Sequence, residues 1–213
     1  VSDLLATLST PEIVTPRDGI TLLRRFADSA ELFPLIEAIA AAAPFRQMVT
    51  PGGSRMSAAM TNCGRAGWVT DRSGYRYAGL DPVTELPWPA MPDAFRALAR
   101  RAATEAGFPG FEPDACLMNR YEPGARLGLH QDRDERSYEH PVVSVSLGLP
   151  AVFLMKPGQA RTGTTTRLRL EDGDVLAFGG LARLMHHGIA PLEPGEHPLY
   201  GACRINLTFR RAL

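Results

Sequence analysis

The chain of 213 residues has almost no lysine. Lys156 is the only one among 23 basic residues, and 23 acidic residues bring the formal net charge to zero. A neutral chain does not coat nucleic acid through bulk electrostatics, so any such contact has to come from local patches. Arginine supplies two candidate patches, Arg55, Arg65, Arg72 and Arg76 in one segment and Arg126, Arg133, Arg136 and Arg161 in another. Guanidinium groups suit phosphates and carboxylates, although GC-rich codon usage also produces an arginine bias. Cysteine is scarce too: Cys63, Cys116 and Cys203 form no C-x-x-C pair. An odd number of cysteines without a secretion signal implies reduced thiols and a cytoplasmic location. No apolar run approaches the roughly 20 residues that span a bilayer. The N-terminus carries no basic stretch followed by an apolar one. Internal repeats, low-complexity tracts and coiled-coil heptads are also missing, which implies a monomer without a membrane partner.

What is present fits one domain with ordinary hydrophobic content, 45% of residues. A short strand is expected over Gly19–Leu23, an alanine-rich helix from about Glu31 to Ala43, and a second helix from an Asp93 N-cap to Gly107. In that second helix Phe95, Leu98, Ala99, Ala102 and Ala106 follow helical spacing. From Thr50 to Asp81 periodicity is lost, and the stretch reads as a long functional loop or lid. After Pro113 come short apolar strands at Ala115–Tyr121, Arg126–His130, Val142–Leu147, Ala151–Met155, Arg167–Leu170, Val175–Phe178 and Arg204–Arg210. Their length and spacing predict a mainly β, antiparallel sandwich or jelly roll with flanking helices.

The chemistry concentrates in His130-Gln131-Asp132-Arg133-Asp134. On an extended strand His130, Asp132 and Asp134 would share one face. With a distant histidine, the first two can complete a 2-His-1-carboxylate site that leaves open positions on a non-haem iron. His186 and His187 both qualify as the distant ligand on spacing alone, and zinc accepts the same donors. The C-terminal strand narrows the choice, because Arg204, Asn206, Thr208 and Arg210 share one face while Ile205, Leu207 and Phe209 share the other. Two arginines flanking an amide and a hydroxyl form a donor array suited to a dicarboxylate, which 2-oxoglutarate provides and a zinc hydrolase does not need. The competing expectation puts the arginine face in solvent.

Four motifs then carry a family resemblance: Asn119-x-Tyr121-x-x-Gly124, His130-Gln131-Asp132-x-Asp134, His187-Gly188-Ile189 and Arg204-x-Asn206-x-Thr208-Phe209-Arg210. Together with Pro44–Gly53, Met60–Gly64 and Val143–Pro150, they resemble the AlkB-type nucleic-acid dealkylating dioxygenases, from about Gly19 to the end of the chain. Phe178, His186 and Arg126 depart from the family pattern, and 156–166 aligns poorly; no ligand position is lost.

The resemblance implies a double-stranded β-helix core (jelly-roll or cupin-like) over 113–213, with an extension and nucleotide-recognition lid over approximately 1–90, all in one domain spanning 1–213. It implies His130, Asp132 and His187 as ligands of Fe(II), with His187 rather than His186 completing the set. It also implies that Asn119, Tyr121, Arg204, Asn206 and Arg210 hold 2-oxoglutarate. The reaction implied is oxidative demethylation of bases such as 1-methyladenine and 3-methylcytosine, releasing formaldehyde, succinate and CO2. The substrate would be alkylated single- or double-stranded DNA, with RNA as a further candidate. A target base has to leave its stack to reach the metal. Trp68 would then stack on it opposite His130, Tyr75, Arg76 and Tyr77 would lie near phosphate, Arg161 would contact substrate, and Asp134 would accept from an exocyclic amine. Competing readings are an oxygenase acting on a protein or small molecule, and a non-catalytic reader of alkylated nucleic acid.

Overall fold

A computed structural model describes residues 12–156 and 164–213. The expectation for Arg161 therefore lies outside the described residues. In chain order the elements are β1 (Ile13–Arg17), β2 (Ile20–Leu23), α1 (Ser29–Ala42), β3 (Ala59–Gly64), β4 (Gly67–Asp71), β5 (Gly74–Ala78) and α2 (Asp93–Glu105). There follow β6 (Ala115–Tyr121), β7 (Leu127–His130), β8 (Val142–Gly148), β9 (Ala151–Lys156), β10 (Thr166–Leu170) and β11 (Val175–Phe178). A single 3-10 turn at Gly180–Ala182 precedes β12 (His186–Ile189) and β13 (Arg204–Arg210).

Two antiparallel sheets face each other, as in a jelly roll. The larger runs β1-β2-β11-β8-β13-β6-β3 and the smaller β10-β9-β12-β7, while β4 and β5 form a separate ribbon. The N-terminal third is built into the large sheet, since β2 pairs with β11 and β3 with β6.

Alternation along the central strands decides what each face does. Val143, Val145 and Leu147 of β8 and Ile205, Leu207 and Phe209 of β13 pack in one core with Leu32, Ile36 and Ile39 of α1 and Phe95, Leu98 and Ala102 of α2. Both helices therefore cover the outer face of the large sheet. The other face turns toward the small sheet, where Leu117, Tyr121, Phe153, Met155, Leu176, Phe178 and Ile189 pack together. This explains why β13 is buried along its whole length. Its arginine face lies between the sheets, and the solvent-facing alternative is excluded.

Other expectations need correction. The stretch Thr50–Asp81 is not one irregular loop, for it contains β3, β4 and β5. β3 is buried on both faces at its centre, so apolar-polar alternation was never written into its sequence. β12 was not among the expected strands, because His186-His187-Gly188-Ile189 carries little strand propensity. Asp93 does not cap α2; Pro92 holds that position, and Asp93 sits in the first turn with Arg96 on its carboxylate at 2.9 Å. Asp28 does cap α1, accepting from the Ala30 and Glu31 amides.

Candidate metal and co-substrate site

β7 and β12 are neighbours in the small sheet, and His130 stands directly opposite His187 in their register. Gly188 permits this approach, since a Cβ there would come within 2.5 Å of the Leu127 carbonyl oxygen. Each imidazole is oriented by a backbone carbonyl two residues earlier: His130 Nδ1 lies 2.9 Å from Gly128 O, and His187 Nδ1 lies 3.2 Å from Met185 O. A carbonyl only accepts, so Nδ1 carries a proton in both rings and Nε2 is the nitrogen left to bind a metal. Those two Nε2 atoms face Asp132, at 3.5 Å from Oδ1 for His130 and 3.8 Å from Oδ2 for His187. The three side chains offer ligand atoms that all lie within 4.8 Å of one another. Burial and the neighbouring His130 hold the His187 ring neutral down to about 3, leaving its nitrogen available as a donor.

His187 is the histidine whose ring nitrogen joins His130 and Asp132 in this group. Its ring stacks on Phe153 at 5.6 Å and lies 5.0 Å from Phe178. Asp132 reaches the site differently from the sequence expectation. β7 ends at His130, so strand alternation does not extend to Asp132 or Asp134. Arg210 holds the Asp132 carboxylate instead, with Nε and Nη2 at 3.1 and 2.8 Å from Oδ2. Burial alone would raise the Asp132 carboxyl, but Arg210 and the two imidazoles hold it well below the usual range.

Beside these groups lies a cavity of about 420 Å³ whose lining includes Asn119, Tyr121, Ser144, Asn206, Thr208 and Arg210. The inner faces of β6, β8 and β13 supply this polar wall. Asn206 donates to Ser144 Oγ at 2.8 Å and to Val145 O at 2.9 Å, and accepts from Thr208 Oγ1 at 2.9 Å. Arg204 lies deeper, 1% exposed, donating to Ser146 Oγ at 3.0 Å with its guanidinium over the Tyr121 ring. Its Nε and Nη1 are buried without an acceptor. Buried donors of this kind need an acceptor, and the carboxylate of a bound dicarboxylate would supply one. The residues present thus fit both an iron ion and 2-oxoglutarate.

Comparison with known proteins agrees with this geometry. The model of the 2OG-Fe(II) oxygenase superfamily matches residues 19–210. The alpha-ketoglutarate-dependent dioxygenase AlkB of Escherichia coli K12 is 58% identical over 196 residues, which are 91% of this chain and 90% of that protein. The chain belongs to the AlkB family of 2OG-Fe(II) oxygenases. An AlkB homolog of Caulobacter vibrioides is 44% identical over 212 residues, 98% of this chain and 93% of its own length. The solved structure of OsALKBH1 superposes with a TM-score of 0.82 at 28% identity, covering 94% of this chain and all of that one. As an AlkB-family member the chain is an iron- and 2-oxoglutarate-dependent dioxygenase. Among the described residues no helix is long and apolar enough to cross a membrane.

On this AlkB-family scaffold the β4–β5 ribbon overhangs the cavity, and Trp68, Tyr75 and Tyr77 line it with Asp134. Trp68 stacks on Tyr75 at 5.7 Å, and its indole N–H donates to Asp134 Oδ2 at 2.7 Å. Asp134, expected to read a base, is therefore also tied to the residue expected to stack on it. Tyr75 is 50% exposed at the cavity mouth. Arg76 is not among the lining residues; Asp71 holds its guanidinium at 2.7 Å, and that pairing lowers the Asp71 carboxyl to about 2. Tyr77 points inward and donates its hydroxyl to Glu135 Oε1 at 3.0 Å.

Glu135 and Arg183 went unnoticed in the sequence. Glu135 is buried against Arg210 and Arg183, at 3.1 Å from each. Its only sequence signal was adjacency to Asp134, and for Arg183 the sequence carried none.

Proposed function

We propose that the chain removes N-methyl groups from nucleic-acid bases, with His130, Asp132 and His187 as the iron ligands. Asn119, Tyr121, Arg204, Asn206, Thr208 and Arg210 would form the wall that receives 2-oxoglutarate. The observation that carries the reading is the aromatic ribbon over the cavity, with Trp68 and Asp134 held together beside His130. An oxygenase acting on a compact metabolite has no use for a stacking face at the mouth. A non-catalytic reader has no use for a metal site with buried, unmet arginine donors behind it. Relatives named nucleic acid dioxygenase ALKBH1, in mouse and human, support a nucleic-acid substrate class.

Iron and 2-oxoglutarate, when bound, supply with O2 the oxidant that hydroxylates the methyl carbon, while 2-oxoglutarate is converted to succinate and CO2. The hydroxylated methyl is a hemiaminal, which breaks its C–N bond to give formaldehyde and the unmodified base. The chain's part is positional. Trp68 supplies one face for an extruded base and the His130 ring the opposite face. Asp134 accepts from an exocyclic amine, and its charge favours the cation that methylation of adenine N1 or cytosine N3 creates. That pattern selects 1-methyladenine and 3-methylcytosine. Zero net charge implies few phosphate contacts and a shallow dependence of affinity on salt.

The direct test is an oligonucleotide carrying 1-methyladenine, incubated with the iron-loaded enzyme, 2-oxoglutarate and O2. Formaldehyde release and loss of the methyl mass should require all three additions. Succinate formation with another substrate class, and none with methylated oligonucleotides, would overturn the assignment. Stacking has its own test. Trp68→Ala is expected to weaken binding of the methylated oligonucleotide by about 1–3 kcal/mol in an anisotropy titration, and unchanged binding would remove Trp68 from the base site.

A further inference from the structure

The iron-ligand carboxylate sits on a segment with no strand or helix of its own, between the end of β7 at His130 and the start of β8 at Val142. Ordering each residue of such a segment costs about 1–2 kcal/mol of backbone entropy, so something has to fix it before a metal arrives. One side chain spans it. Arg183, 3% exposed, donates Nη1 to the Asp132 carbonyl at 3.0 Å and Nε to the His140 carbonyl at 3.0 Å. Its Nη2 lies 3.1 Å from Glu135 Oε2, and its guanidinium lies 5.5 Å from the Tyr138 ring centroid. The beginning, middle and end of the segment are thus tied to one planar group. Gln131 adds a further tie by donating to the carbonyl of Leu184, the next residue.

Arg183 is itself well placed to act as an anchor. It follows the 3-10 turn at Gly180–Ala182, and the residue before that turn, Gly179, donates its amide to Gly19 O at 2.9 Å beside β2. Four residues further on is His187. One short stretch therefore carries one imidazole of the metal group and braces the carboxylate of the same group.

We infer that Arg183 is a positioning residue for metal binding: it holds the 131–141 segment so that Asp132 faces His130 and His187 before the ion enters. It acts through the Asp132 and His140 carbonyls and the Glu135 carboxylate, and touches no ligand atom. The planar fork is what the role requires, since three acceptors in different directions cannot be met by the single ammonium of a lysine. Removing a group that orients a metal ligand typically lowers metal affinity about 10–100-fold.

The inference rests on the reading of Asp132 as a ligand, and the experiment separates the two. Cobalt(II), followed by its visible d–d absorption, is titrated into the full chain without nucleic acid, for the wild type, Asp132→Ala, Arg183→Lys and Arg183→Met. Asp132→Ala tests the ligand reading, and cobalt binding equal to wild type there overturns both statements. With binding lost in that variant, Arg183→Lys is expected to bind cobalt about 10-fold or more weakly while melting within a few degrees of wild type. Arg183→Met, which leaves Glu135 with one fewer partner, should be weaker still and less stable. Should Arg183→Met fail to fold, the lysine variant decides alone. A lowered melting temperature with unchanged cobalt affinity in the folded variant makes Arg183 a purely structural residue and overturns the inference.

Discussion

Asp132→Ala is expected to abolish demethylation and to destabilise the chain in the same step. The first effect follows from losing the single carboxylate among three donor groups that all lie within 4.8 Å of one another. Its loss should exceed the roughly 10–100-fold penalty for losing a residue that merely orients a ligand, so formaldehyde release should fall below detection. The second effect follows from Arg210, which is buried and whose pKa is held up against that burial by the carboxylates of Asp132 and Glu135. Breaking a buried ion pair costs about 3–5 kcal/mol. Glu135, 3.1 Å from Arg210 Nε, remains to pair with it after the substitution, which places the expected cost at the low end. About 3 kcal/mol corresponds to a fall of roughly 6–12 °C in melting temperature for a domain of this size. Calorimetry and a formaldehyde assay check the two parts separately, and turnover by Asp132→Ala would remove it from the metal site.

Arg204→Met should move stability and co-substrate binding in opposite directions. Arg204 is among the largest fully buried side chains, and two of its donors lack an acceptor. Burial pulls its pKa down, against a smaller opposing effect of Tyr121. A methionine of similar length fills the volume without a charge to desolvate. Replacing a buried ion pair by apolar groups is often neutral or stabilising by about 1–4 kcal/mol. Among the described residues Arg204 has no carboxylate partner to leave unpaired. The variant without 2-oxoglutarate should therefore melt at the wild-type temperature or several degrees above it. Hydrogen bonds to charged groups are worth about 1.5–3 kcal/mol each, so losing two should weaken 2-oxoglutarate binding on the order of a hundredfold or more. The stabilisation that saturating 2-oxoglutarate gives the wild type should disappear with it. A variant that melts lower and still binds 2-oxoglutarate normally would show that Arg204 supports the sheet and not the co-substrate.

The sequence carried the strands of the core well where one face is apolar. β6, β11 and β13 begin and end as predicted: β6 and β13 pair an apolar outer face with polar groups inside, and β11 is a short apolar run bounded by turn residues. It carried β3 and β12 poorly, since neither shows an apolar stripe. The metal group was legible as residue types but not as geometry. Strand alternation proposed a shared face for His130 and Asp132, yet the strand stops at His130 and Arg210 and Arg183 complete the arrangement across the sequence. Pairings at such separations leave no local pattern, and for the same reason the burial of Glu135 was invisible. The choice of His187 over His186 came from motif resemblance, and its physical basis is the register of β12 against β7.

The β4–β5 ribbon has one further consequence. Two strands alone are marginal in water, and this pair shares no ladder with either large sheet. It is held by side chains: Asn62 of β3 exchanges two hydrogen bonds of 3.0 Å with the Trp68 backbone, Trp68 reaches Asp134, and Tyr77 reaches Glu135. Val69, buried in the inter-sheet core with Trp68 and Ala78 packed beside it, adds an apolar anchor, so the ribbon is joined to the sheets by side chains and not by a backbone ladder. On the proposed reading, side-chain changes in the ribbon would alter base selection while the ladders of the two sheets around the metal group stay intact.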